Sequence, residues 1–137
     1  NPGRFAVMYV DLDGFKAVND DQGHQAGDIV LQEVARRLTH ETRETDVVAR
    51  VGGDEFVIVY ADIKEGLEEV EMLATRILQS IARPVALEKE AEARISSSIG
   101  IAIYPDNGGD AETLIKRADQ SMYNVKNADK NSFAVSG

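Results

Sequence analysis

Hairpin signals mixed with crossover helices predict an α+β domain built on one mostly antiparallel sheet. Three observations carry that expectation: an apolar run over residues 5–10 that stops at Asp11, two short apolar runs parted by Gly52-Gly53-Asp54-Glu55, and two long stretches with helical apolar spacing. Residues 5–10 are β-branched and aromatic, as in a buried strand. Gly14-Phe15-Lys16 starts a short helical turn that breaks near Asp21-Gln22-Gly23. From Gly27 onward Ile29, Val30, Leu31, Val34, Ala35 and Leu38 keep a helical period, so a helix is expected to run to about Glu41. Residues 46–51 and 56–60 read as strands joined by the double-glycine turn. Leu67, Val70, Met72, Leu73, Ile77, Leu78 and Ile81 define a second long helix, stopped at Pro84. Strands are expected at 85–87 and 95–103, the latter with Ile99, Ile101 and Ile103 on one face. Asp110 suits the N-cap of a helix through Lys126, and residues 133–135 make a last short strand.

The 137 residues fit one domain, and a hydrophobic share of 43% can fill its core. No apolar run approaches the ~20 residues that span a bilayer, and no signal-peptide pattern opens the chain. The start at Asn1-Pro2-Gly3, just ahead of an apolar run, reads as a cut from something larger. The expected location is the cytoplasmic side, with a membrane anchor in the parent left open. Zero cysteines exclude disulfides and zinc–thiolate sites. A net charge of −9 argues against nucleic acid as the partner, because that binding rests on neutralising phosphates.

The acids supply the chemistry. Asp11 ends a strand, where a carboxylate is no ordinary core choice, and Asp54 and Glu55 sit in a tight turn whose glycines permit unusual backbone angles. If the hairpin pairs beside the first strand, Asp11 and Asp54 face each other and repel unless a cation joins them. Mg²⁺ accepts one or two carboxylates plus substrate phosphates. A solvated turn with unrelated acids is the alternative. The glycine at Gly14, where strand meets helix, bares amides that can cradle phosphate, and Lys16 adds a point charge; an ordinary turn would look the same. Asn19 and Asp28 flank the Gly23-His24 turn and could read guanine's donor edge, or serve only as a helix cap and a first-turn acid.

Together these segments resemble the GGDEF family of diguanylate cyclases. Gly52-Gly53-Asp54-Glu55-Phe56 is intact behind Arg50-Val51; the run from Asp11 to Asp20, Gly23 to Asp28, Ser98 to Ala102 and Ala118 to Lys126 match further blocks, covering nearly the whole chain. The resemblance implies a five-stranded sheet wrapped by helices, related to nucleotide-cyclase and polymerase palm domains. It implies condensation of two GTP into cyclic di-GMP with Mg²⁺ or Mn²⁺ held by Asp11, Asp54 and the Leu12 carbonyl. It also implies that Asp54 and Glu55 are the catalytic acidic pair. Gly14, Phe15, Lys16, Lys126 and Lys130 would hold phosphates, and Asn19 and Asp28 would read guanine. Each domain holds one GTP, so the complete site needs a second GGDEF domain. The isolated chain is expected to be monomeric or crosslinked by product.

Arg43-Glu44-Thr45-Asp46 ends five residues before Gly52, the spacing of the family's product-inhibition motif RxxD. Cyclic di-GMP would bind there, with Arg76 as third member; a surface ion pair worth ~0–1 kcal/mol is the alternative. The chain also departs from the family. It lacks the usual segment before the first strand, carries Gly14 for a bulkier residue, Asp129 for Gly and Lys130 for Arg, and has an unexplained polar run at Ser96-Ser97-Ser98. Two rival functions are a catalytically silent nucleotide sensor and a protein-interaction module.

Overall fold

The computed structural model describes residues 3–137. β1 (Phe5–Asp13) leads into α1 (Phe15–Gln22) and α2 (His24–Glu41), then the hairpin of β2 (Val47–Arg50) and β3 (Glu55–Tyr60). After α3 (Leu67–Ala82) come the small strands β4 (Val85–Ala86) and β5 (Glu92–Ala93), then β6 (Ser96–Tyr104), α4 (Ala111–Ala128) and β7 (Ser132–Val135). Five strands form one sheet in the order β2-β3-β1-β6-β7. Every pairing in it is antiparallel except β6 with β7. The expected α+β class with a mostly antiparallel five-stranded sheet is what the chain adopts.

The period of two divides β1 cleanly. Ala6, Met8, Val10 and Leu12 join the large core with Val30, Val34 and Leu38 of α2 and Val70, Leu73 and Ile77 of α3. Each such fully buried aliphatic side chain contributes roughly 1.5–3 kcal/mol. The opposite face carries Val7, which packs with Val57, Ala102, Leu114 and Ala118 under α4, flanked by Tyr9. Farther along that same face stand Asp11 and Asp13. Apolar burial therefore ends and carboxylates begin on one strand, at the sheet's central position.

α4 lies unusually close to the sheet because Gly100 has no side chain. A Cβ there would sit 1.9 Å from the Ala118 carbonyl oxygen and 2.3 Å from the Met122 amide. Asp110 caps the helix as expected, accepting from the Thr113 amide at 2.7 Å. Its other end delivers Lys126 to the end of β1. On the far face, the buried Arg37 guanidinium donates to the carbonyls of Ser80, Arg83 and Pro84, which ties α2 to the otherwise orphaned end of α3.

Most strand ends differ from expectation by a residue or so, β1 runs on to Asp13, and two helices and one strand differ further. α2 begins at His24 rather than Gly27, because its first turn is polar and small and gives no apolar period. α4 continues to Ala128. β5 went unread: a two-residue strand with one buried side chain leaves no pattern.

Candidate active site

The site forms where β1, the turn before β3 and the end of α4 meet. Asp11 pairs in register with Glu55 across β1 and β3 and with Ser98 across β1 and β6. The Leu12 amide donates to the Asp54 carbonyl at 3.1 Å, which extends the ladder into the turn and sets Asp54 beside Asp11. Asp11 is buried, and its Oδ1 has no hydrogen-bond partner. Burial first, and then the Asp54 charge, push its carboxyl above the ordinary value despite the nearby Lys126. A buried carboxylate oxygen with nothing to bond is costly in a finished fold.

Lys126 supplies the positive charge. Its Nζ lies 3.2 Å from Asp11 Oδ2 and 3.3 Å from Asp13 Oδ1. Burial opposes its charge, but the two aspartates outweigh that and raise its pKa. Asp13, in contrast to Asp11, is fully engaged. It accepts from Ser96 Oγ at 2.9 Å, Ser98 Oγ at 2.8 Å and the Asn131 amide at 3.1 Å. The polar serine run thus has a reason: two of its hydroxyls satisfy a buried carboxylate, while Ser97 Oγ is buried without a partner. Asp13 also pins the left-handed residues Lys130 and Asn131 (φ 46° and 45°) at the exit of α4. Asp129 itself is right-handed, so a glycine's freedom is not needed there.

The double glycine serves a different purpose from the one expected. The positive-φ glycines are Gly14, Gly23, Gly66 and Gly108, so Gly52 and Gly53 need no left-handed backbone. What Gly52 provides is room, since a Cβ there would meet Glu55 Oε1 at 2.8 Å. The Val51 amide closes the turn on the Glu55 carbonyl at 2.9 Å. Tyr9 donates to Glu55 Oε1 at 3.0 Å, and burial together with that bond pushes its phenol up to about 12.

The phosphate and base candidates lie on α1, α2 and the exit of α4. Gly14 (φ 86°) is left-handed at the N-terminus of α1, with the Phe15 ring in the core and Lys16 exposed. Asn19 lies against Gly27, where a Cβ would come within 1.9 Å of Asn19 Oδ1. The bare Gly27 therefore lets the amide of Asn19 rest beside the backbone neighbour of Asp28, which is itself exposed. Lys130 is exposed as well.

The RxxD pair is built otherwise. Asp46 has a side-chain exposure of 0% and Arg43 of 42%. Asp46 accepts from the Arg43 amide at 2.8 Å, from Arg43 Nη2 at 3.0 Å and from the Ala61 amide at 2.9 Å. Burial opposes its charge, yet those bonds outweigh it and hold the carboxyl below its ordinary value. The Arg43 guanidinium also donates to the Ala61 carbonyl and lies 4.2 Å over the Tyr60 ring. Arg76 pairs instead with Glu41 at 3.3 Å, in a shallow depression with Gln79, Ser80 and Arg83.

The sequence profile described as "Diguanylate cyclase, GGDEF domain" matches residues 1–132. The chain belongs to the GGDEF diguanylate cyclase domain family. This GGDEF domain is 44% identical over 130 residues to the bifunctional diguanylate cyclase/cyclic di-GMP phosphodiesterase MucR of Pseudomonas aeruginosa, covering 95% of this chain and 18% of that protein. Diguanylate cyclase TpbB of the same species is 39% identical over 123 residues, covering 90% of this chain and 28% of that protein. The domain thus spans under a third of either relative. The solved GGDEF domain of TpbB superposes with a TM-score of 0.94 at 36% identity, covering 98% of this chain and 83% of that one. The GGDEF domain of DgcB from Caulobacter crescentus, solved in complex with c-di-GMP, gives 0.85 at 26% identity, covering 97% and 78%.

The acid centre of this GGDEF domain fits a divalent cation. Its donors are all oxygen, one buried carboxylate oxygen is unpartnered, and a second carboxylate stands close enough to perturb it. Among the described residues no three His, Cys, Asp or Glu side chains gather as a ready-made cage. The protein's share would be Asp11, Asp54 and the Leu12 carbonyl, with phosphate completing the shell. Sequence reasoning missed Asp13 and Tyr9 as members of this region. Their signal was present, since both share the strand face of Asp11 at a spacing of two.

Proposed function

We propose that this domain is one half of a diguanylate cyclase. It binds one GTP, and two copies facing each other join two GTP into cyclic di-GMP. Each 3′-hydroxyl forms a bond to the α-phosphorus of the other nucleotide, the bond to the β-phosphate breaks, and two pyrophosphates and two protons leave. The observation that supports this most is the unpartnered Asp11 Oδ1 beside Asp54, while the neighbouring Asp13 has its partners in place. A Mg²⁺ or Mn²⁺ ion held there would lower the hydroxyl's pKa and offset charge on the phosphoryl oxygens.

The chain's own residues orient the substrate. The first amides of α1, behind the left-handed Gly14 and including those of Phe15 and Lys16, would hold the phosphates. Lys16 and Lys130 are exposed cations at the rim, and Lys126 turns from Asp11 to the incoming phosphates while Asp13 retains it. Asn19 and Asp28 accept guanine's N1–H and N2–H₂ edge. Holding the hydroxyl in line with the leaving pyrophosphate supplies much of the rate. GTP supply puts the reaction on the cytoplasmic side.

Product feedback at the RxxD turn belongs to the same proposal. Arg43 presents a half-exposed guanidinium stacked on Tyr60, suited to the O6 and N7 edge of guanine or to phosphate. Asp46, fully covered, orients that fork; to accept from guanine directly it would have to come out from beneath Arg43. Arg76 would join only by leaving Glu41.

The domain fused to a dimerising coiled coil, given GTP and Mg²⁺, is expected to release pyrophosphate and form cyclic di-GMP in a two-to-one ratio. Glu55→Gln should abolish both. GTP binding without pyrophosphate release would favour the sensor, and no GTP binding at all would favour the interaction module.

A further inference from the structure

Glu55 is held in a way that the signature sequence alone does not explain. Tyr9 faces Val57 across β1 and β3, while Asp11 faces Glu55, so Tyr9 and Glu55 are diagonal neighbours on one face of the sheet. Such diagonals lie within reach of an aromatic side chain. The Tyr9 hydroxyl uses that reach, donating to Glu55 Oε1 at 3.0 Å. The same oxygen occupies the space left by Gly52, where a Cβ would stand 2.8 Å away. Two separate features therefore act on one atom: a donor below it and a missing side chain beside it.

We infer that Tyr9 is a positioning residue for the reaction, locking Glu55 Oε1 over Gly52 so that the other oxygen, Oε2, faces the Asp11–Asp54 centre. The inference rests on the cyclase reading for its catalytic consequence but not for the contact itself. Glu55 opens β3 directly after the turn, and a glutamate side chain has three rotatable bonds to be fixed. One hydrogen bond from a rigid phenol on the central strand removes that freedom before substrate arrives. Preorganisation of this kind acts on the chemical step more than on substrate capture. A phenylalanine would fill the same space above Val57 without the bond.

Tyr9→Phe separates these effects because it keeps the ring and its packing. In a double-mutant cycle with Glu55→Ala, followed by urea unfolding of the domain, the two changes should be non-additive by about fivefold in the unfolding equilibrium constant. In the coiled-coil dimer, Tyr9→Phe should lower kcat roughly three- to tenfold with KM for GTP unchanged within about twofold. Additive unfolding effects would overturn the inference whether or not the dimer turns over. Unchanged kcat in an active dimer would overturn it as well, as would a rise in KM alone. If the unsubstituted dimer forms no product while the unfolding cycle still shows coupling, the cyclase reading fails and the Tyr9 hold on Glu55 stands.

Discussion

Asp11 and Asp46 sit about one hairpin apart and are both buried acids, yet their surroundings are opposite. Asp46 is completely covered and accepts from two backbone amides and an arginine fork, which hold its carboxyl below its ordinary value. Asp11 is paired with one lysine, lies near the Asp54 charge, leaves Oδ1 without a partner, and is pushed above its ordinary value. A satisfied carboxylate fastens a fold, whereas an unsatisfied one asks for a ligand. The first joins α2, β2 and the end of β3; the second marks the place where the sheet gives up stability for chemistry.

That contrast can be broken most strongly at Asp11. Asp11→Asn should cut pyrophosphate release by the dimerised domain at least about a hundredfold while leaving the unliganded melting temperature unchanged or a few degrees higher. A clear fall in melting temperature would mean that Asp11 fastens the fold after all. Next comes Asp46→Ala, expected to cost about 2–4 kcal/mol in urea unfolding, because it strands two amides and the Arg43 fork. A loss below about 1 kcal/mol would reduce the pair to an ordinary surface bridge.

Ser98→Ala probes the neighbouring strand. It removes one donor from buried Asp13 and should cost about 1–2 kcal/mol, with Ser97→Ala near neutral because that hydroxyl has no partner. Equal costs for the two serines would contradict the assigned network. The smallest effect is one of pH. Asp46 is held below its ordinary value, so its stabilisation is complete above the unfolded Asp pKa of about 4 and is lost as pH falls through the folded value. Urea midpoints measured downward from pH 5 should fall more steeply for the unsubstituted domain than for Asp46→Asn; parallel curves would contradict the assignment.

Much of this was legible in the sequence because the signals are local. The alternation of β1 and β6, the Asp110 cap and the helical period of α3 each lie within one element. What stayed hidden depends on partners far along the chain. Ser96 and Ser98 look too polar for a central strand until Asp13 is placed opposite, more than eighty residues earlier. The parallel pairing of β7 with β6 has no sequence signature of its own. Gly52 was read as a turn residue permitting unusual backbone angles, whereas it has no positive φ and a Cβ there would displace the Glu55 carboxylate three positions later. Arg43 and Asp46 were legible as a pair, but not that Asp46 would be wholly covered, because the Ala61 amide that completes its shell belongs to the next connection.

If Asp11 and Asp54 grip a divalent ion against a nucleotide's phosphates, Mn²⁺ reports on it directly. Electron paramagnetic resonance of Mn²⁺ with GTP and the domain should show a bound-ion signal distinct from that of Mn²⁺–GTP alone, and Asp11→Asn should return the spectrum to the protein-free one. Identical spectra for the unsubstituted domain and the Asp11→Asn variant would contradict the account.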